Sequence, residues 1–77
     1  MNNSNTTNAA KTTLTPAQTA KAQFVGRAIA RDAKGGEWPG LGLHDGDQLM
    51  SAGLDNTMPE WAEAESVARE AFEAEAK

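Results

Sequence analysis

Three helix-start signals divide this 77-residue chain and constrain its fold more than any other feature. Each is a Thr or Asp followed three positions later by Gln or Glu, the capping-box pattern of a first helical turn. They begin at Thr15, Asp45 and Thr57. Glycines at 35–36 and 53 then offer places where the first two helices can end. We therefore predict a small all-α, three-helix domain, with helices near residues 16–34, 46–53 and 58–75: a long helix, a glycine-rich loop, a short helix and a long acidic helix.

The length and composition of the chain exclude several classes of protein. A chain of 77 residues forms one small domain at most and buries a modest share of its surface, so we expect a protein partner or a second copy. The absence of cysteine excludes disulfides, thiolate metal sites and thiol catalysis. We find no apolar run that could span a membrane and no signal-peptide pattern, and we expect a cytoplasmic protein without membrane contact.

Residues 1–13 differ in composition from the rest of the chain. They are Asn, Thr, Ser and Ala with one lysine, apart from the initial methionine, and bury too little apolar surface to offset the entropy of ordering. We predict a disordered tail over 1–13, which is either an adhesive or export tail or a segment without a role, followed by a single helical domain over 14–77.

Apolar residues recur at spacings of three and four along both long helices, as on one face of a helix. The third helix carries a mostly alanine stripe, which favours close packing against the first helix; a homodimer seam is the alternative. The predicted stripes are Ala17, Ala20, Phe24, Val25, Ala28 and Ile29 in the first helix, and Trp61, Ala64, Val67, Ala68, Ala71 and Phe72 in the third. The predicted centre of the core is Phe24, Ile29, Leu49, Leu54, Trp61 and Phe72.

The segment 35–44 is rich in glycine, which raises the question of a phosphate-binding loop. No strand precedes it and two aspartates follow, so we favour an ordered loop in which Trp38, Leu41 and Leu43 close one end of the core. His44, Asp45 and Asp47 supply only fragments of a calcium loop, and helix capping already explains the aspartates. We therefore predict no metal and no cofactor.

The stretch SAGLDNTMPEW, residues 51–61, resembles the turn of a helix-turn-helix. Leu54 suits the position after the turn glycine, but the large apolar residues that follow arrive one position too early for that motif. Residues 57–77 carry six acids against two bases, a net charge of −4 that a phosphate backbone would repel. DNA binding is thus the alternative function, and its contacts would fall on the first helix at Arg27, Arg31 and Lys34.

Charge is divided unevenly along the chain. Residues 1–34 hold five bases and one acid, +4, whereas residues 35–77 hold two bases and ten acids, −8. The surplus acid either keeps a small protein soluble or docks on a basic surface of a partner protein. For docking, the candidate residues are Asp45, Asp47, Glu63, Glu70 and Glu73.

The functional prediction is a non-enzymatic interaction module, an inhibitor or regulator of the kind that phages and mobile elements use. Its partner is a protein with a basic surface, and a nucleic-acid-binding protein would offer such a surface. Catalysis is disfavoured because His44 has no cysteine or serine partner nearby and so small a domain leaves little room for a pocket of a few hundred Å³.

Overall fold

The structure of the chain, a computed structural model, describes residues 14–76. Over this range it contains three helices and no strand: α1 is Pro16–Ala33, α2 is Leu43–Ser51 and α3 is Glu60–Ala76. The predicted all-α, three-helix fold is therefore confirmed. The prediction of a disordered tail over 1–13 lies outside the described residues.

Helix α1 begins as its sequence predicts. The Thr15 hydroxyl accepts from the Gln18 N–H, and the Gln18 side chain accepts from the Thr15 N–H, each at 3.1 Å, with Pro16 in the first turn. The helix ends one residue before the predicted 34. Lys34 itself takes the left-handed conformation, with φ 52° and ψ 49°, and Gly35 follows at φ 88°. The left-handed cap thus starts at a lysine and not at the glycine pair.

Helix α2 begins three residues before its predicted start at 46. Asp45 is not the N-cap but stands three residues after it, where its carboxylate accepts from the Gly42 N–H at 2.9 Å. That bond satisfies a backbone donor ahead of the helix and adds nearly a turn to it. Gln48, predicted to complete a box with Asp45, instead accepts from the Lys21 ammonium at 3.2 Å.

Gly53 stops α2 as predicted, although the helix ends at Ser51, two residues before the predicted limit of 53. Gly53 has φ 94° and donates its N–H to the Met50 carbonyl at 2.9 Å, while Leu54 donates to the Leu49 carbonyl at 3.2 Å. This pair of bonds is a Schellman motif, and the Leu54 and Leu49 side chains both belong to the buried core. The helix therefore ends at Ser51 and places Leu54 inside.

The predicted capping box at Thr57 does not form, and α3 begins at Glu60 and not at 58. Asp55 binds Thr57 instead: its carboxylate accepts from both the backbone N–H and the hydroxyl of Thr57, each at 2.8 Å. The bond from the Thr57 backbone N–H, and to a smaller extent the bond from its hydroxyl, hold the pKa of Asp55 below its ordinary value. The threonine hydroxyl is thereby directed backward, away from the helix it was expected to cap.

Helices α1 and α3 form the most extensive packing of the fold, which confirms the prediction that the alanine stripe of α3 packs on α1. The two helices approach so closely that a Cβ atom on Gly26 would lie only 2.0 Å from the Ala68 carbonyl oxygen. Small residues flank this contact on both helices, and Ala22 and Ala64 are fully buried beside Ala68. Close approach therefore depends on side chains of minimal size.

The core corrects the predicted orientation of α1. Phe24, expected at the core centre, is 49% exposed, and the inward face consists of Ala22, Val25, Gly26, Ile29 and Ala30. Of the other predicted core residues, Trp61 is only partly buried. The remaining four are buried as predicted: Ile29, Leu49, Leu54 and Phe72.

The loop before α2 covers one end of the core. The Trp38 and Phe72 rings pack in a T-shaped arrangement, with centroids 5.3 Å apart and an interplanar angle of 66°, and Leu41 also packs against the core. Both positions agree with the prediction. Leu43 does not, because it is 91% exposed at the start of α2.

Helix α2 runs antiparallel to α1. Gln18 donates to the Ala52 carbonyl at 3.1 Å and Lys21 donates to Gln48, so residues later in α1 contact residues earlier in α2. Helices α2 and α3 both pack on α1 but make little contact with each other. Within residues 14–76, no helix is long and apolar enough to cross a bilayer.

Candidate functional site

The gap between α2 and α3 forms an open surface groove of about 460 Å³, which we call the α2–α3 groove. It exists because both helices rest on α1 and scarcely touch each other. Four large apolar side chains line it together with two carboxylates. The groove residues are Leu41, Gly42, Leu43, Gly46, Asp47, Met50, Asn56, Trp61 and Glu65.

Helix α2 presents one side to this groove. Leu43, Asp47 and Met50 are separated by four and three residues, which places them along one face of a helix. Leu43 is 91% and Met50 is 53% exposed. Gly46 lies between them on α2 and has no side chain, and the Trp61 ring lies close to it: a Cβ at Gly46 would be 3.7 Å from that ring. The result is an apolar strip open to solvent with a carboxylate in its middle.

The two predicted docking residues on α2 lie in different places. Asp47 is exposed and lines the α2–α3 groove, where Glu65 of α3 lines it too. Asp45 is half-buried, binds the Gly42 N–H and lines another groove, with Asp32 of α1. Residues two apart on a helix point about 200° from each other, so these aspartates diverge.

The predicted docking residues on α3 form what we call the acidic face of α3: Glu63, Glu70 and Glu73. Glu63 is half-buried, whereas Glu70 and Glu73 are exposed. Glu73 accepts from the Arg69 guanidinium at 3.2 Å, an ion pair with both side chains more than half exposed. Such a pair stabilises a helix by only about 0.3–0.5 kcal/mol. None of these three glutamates lines the α2–α3 groove. The second carboxylate there, besides Asp47, belongs to Glu65, which is outside the predicted set.

The residues of the alternative, DNA-binding interpretation lie on α1. Arg27, Arg31 and Lys34 are all exposed, and Arg27 lines a groove that also contains Glu70 and Glu75. Between α2 and α3 the connection spans residues 52–59, eight positions. A helix-turn-helix joins its helices through a turn of about 3–4 residues. The connection and the slight contact between α2 and α3 therefore differ from that motif.

The groove corrects one expectation about size. We expected little room for a pocket of a few hundred Å³, and the α2–α3 groove has that volume, although it is open to solvent. His44 is exposed, and no three His, Cys, Asp or Glu side chains of residues 14–76 stand close enough to hold a metal ion. The lining of the groove combines apolar side chains with two carboxylates.

Sequence reasoning missed Leu43, Met50 and Glu65. Their signal was the spacing of Leu43 and Met50, seven residues apart with Asp47 between them, but the predicted start of α2 at 46 left Leu43 outside the helix. Comparison with family models, with curated proteins and with solved structures found no match for this chain.

Proposed function

We propose that this chain is a non-enzymatic interaction module whose acidic helical surface docks on a basic surface of a partner protein. The observation that carries the proposal is the charge of α3. Between Glu60 and Ala76 the helix has six glutamates and one arginine, and every one of the glutamates keeps contact with solvent. Its opposite side is committed to the core through Ala64, Ala68 and Phe72.

The charge of α3 supports docking because it is concentrated on one helix. Arg69, the base between Glu60 and Ala76, pairs with Glu73, and six glutamates against one arginine leave this helix with a surplus of negative charge. Like charges on neighbouring turns repel each other and weaken a helix slightly. A basic partner surface relieves that repulsion and accelerates encounter. In this proposal the acidic surface recognises the partner by the partner's basic charge, and binding inhibits or regulates the partner.

The test is a pair of double variants with the same change of net charge. Glu70→Lys with Glu73→Lys alters the acidic face of α3, and Asp32→Lys with Glu37→Lys alters exposed acids elsewhere. The partner is captured with the tagged protein from producing cells, identified by mass spectrometry and purified for calorimetry. We expect the first variant to bind it at least about tenfold more weakly, and the second to bind within about twofold of the parent.

Two results would count against this function. Equal weakening by both double variants would mean that the acid acts only through overall charge, as it would for solubility. The DNA-binding alternative would be favoured if the parent shifts duplex DNA and Arg27→Glu with Arg31→Glu abolishes that shift, because both arginines are exposed on α1. Higher salt should weaken the protein complex, since exposed charges are screened.

A further inference from the structure

We infer that the α2–α3 groove binds an amphipathic helix of the partner, one whose apolar side chains are flanked by lysine or arginine. This inference rests on the proposed function for the sign of the partner's charge, and it adds the place and the secondary structure of the contact. It concerns residues outside the acidic face of α3, chiefly Leu43, Met50 and Trp61.

The apolar lining argues for a helix as the occupant. Leu43 and Met50 stand seven residues apart on α2, about 10 Å along the helix axis, the distance between side chains two turns apart on a docking helix. The alternative of an added strand needs a sheet edge with free backbone groups. Residues 14–76 contain helices and no strand, so they provide no such edge.

The carboxylates argue for a basic occupant. Asp47 lies between Leu43 and Met50 on α2, and Glu65 lies one turn beyond Trp61 on α3, so acid from both helices lines the groove. A helix seated on the apolar strip places its flanking side chains beside these carboxylates. Lysine or arginine there forms ion pairs, whereas glutamate is repelled.

The experiment uses three synthetic peptides of about 18 residues, long enough for five helical turns. One has leucine and lysine in an amphipathic pattern, the second has glutamate in place of lysine, and the third has serine in place of leucine. Calorimetry measures each against the full chain. We expect the leucine–lysine peptide to bind at least about tenfold more tightly than the other two.

Matched variants locate the contact. Leu43→Ser with Met50→Ser removes the exposed apolar strip, and we expect about tenfold or greater loss of affinity for the leucine–lysine peptide. Phe24→Ser removes an exposed aromatic ring on α1, 49% exposed, and should leave the affinity unchanged. Circular dichroism checks that all variants keep their helices, which we expect because Leu43, Met50, Phe24 and Asp47 are exposed and Glu65 keeps contact with solvent. Asp47→Lys with Glu65→Lys should weaken binding and remove its salt dependence.

Three results would overturn the inference. The first is equal binding of the glutamate peptide, and the second is unchanged binding by the Leu43 and Met50 variant. The third is self-association of the parent in sedimentation, abolished by that variant, which would make a second copy the occupant. If the natural partner is lost by the Glu70 and Glu73 variant but not by the groove variant, the proposed function stands and only the groove inference fails.

Discussion

Gly26 is the position on which the packing of the two long helices depends, and Gly26→Ala tests it directly. A Cβ there would lie 2.0 Å from the Ala68 carbonyl oxygen and 3.0 Å from the Ala71 Cβ. The first of these atoms belongs to the backbone and has no rotamer through which to move away. Gly46 of α2 is the matched control, because the Cβ of Gly46→Ala would lie at an ordinary 3.7 Å from the Trp61 ring.

The magnitudes follow from two opposing effects. Replacing a glycine inside a helix by alanine favours the helix by about 0.5–1 kcal/mol, and this gain applies to both substitutions. At Gly26 the helices must in addition separate by about 1 Å, and such a gap forfeits a quarter to a half of the dispersion energy across the contact. Overpacking of this kind costs about 1–3 kcal/mol. The clashing atom at Gly26 belongs to the backbone, so the upper end of this cost applies, and subtracting a helix gain of up to about 1 kcal/mol leaves Gly26→Ala destabilising by about 2 kcal/mol. Gly46→Ala has the gain alone and should stabilise the fold by up to about 1 kcal/mol.

Far-ultraviolet circular dichroism during urea and thermal unfolding measures both changes. For a domain of this size, 1 kcal/mol corresponds to about 4–8 °C in Tm. The expected shifts are thus a fall of roughly 10 °C for Gly26→Ala and a rise of about 4 °C for Gly46→Ala. If Gly26→Ala instead raises Tm as much as Gly46→Ala does, the close approach of α1 to α3 is refuted.

Three further predictions concern the local contacts that end and begin the helices. Gly53→Ala should lower the free energy of unfolding by about 1–2 kcal/mol, because φ 94° is strained for any residue with a Cβ; urea unfolding that shows no loss would contradict this backbone geometry. Thr15→Ala should cost about 1 kcal/mol and Thr57→Ala only a few tenths, since only Thr15 caps a helix. Equal costs in the same assay would mean that Thr57 is a cap after all. Asp55→Asn should be less stable than the parent at neutral pH, because the lowered pKa of Asp55 means that its ionised carboxylate stabilises the fold. This stabilisation is present above the ordinary pKa and is lost as the pH falls through the folded-state pKa, so the difference in unfolding midpoint between variant and parent should shrink below about pH 4. A difference that does not change with pH would refute this role of Asp55.

Local sequence determined the number and the approximate limits of the helices. Capping at Thr15 and the stop at Gly53 involve residues within about one turn of each other, so both depend on local sequence and not on tertiary packing. The inward face of α3 was equally readable, because its buried residues Ala64, Ala68 and Phe72 lie on one stripe opposed by glutamates. The start of α2 was missed because Asp45 fits two capping positions that sequence alone does not distinguish.

Only the tertiary structure decided which side of α1 faces inward and which residues line the groove. Helix α1 carries two apolar stripes, one through Phe24 and one through Ala22, Gly26 and Ala30, and periodicity permits either. The choice depends on how near the backbone of α3 can come, and small side chains allow the closest contact. The α2–α3 groove is likewise a product of tertiary packing, because α2 and α3 each pack on α1 and make little contact with each other.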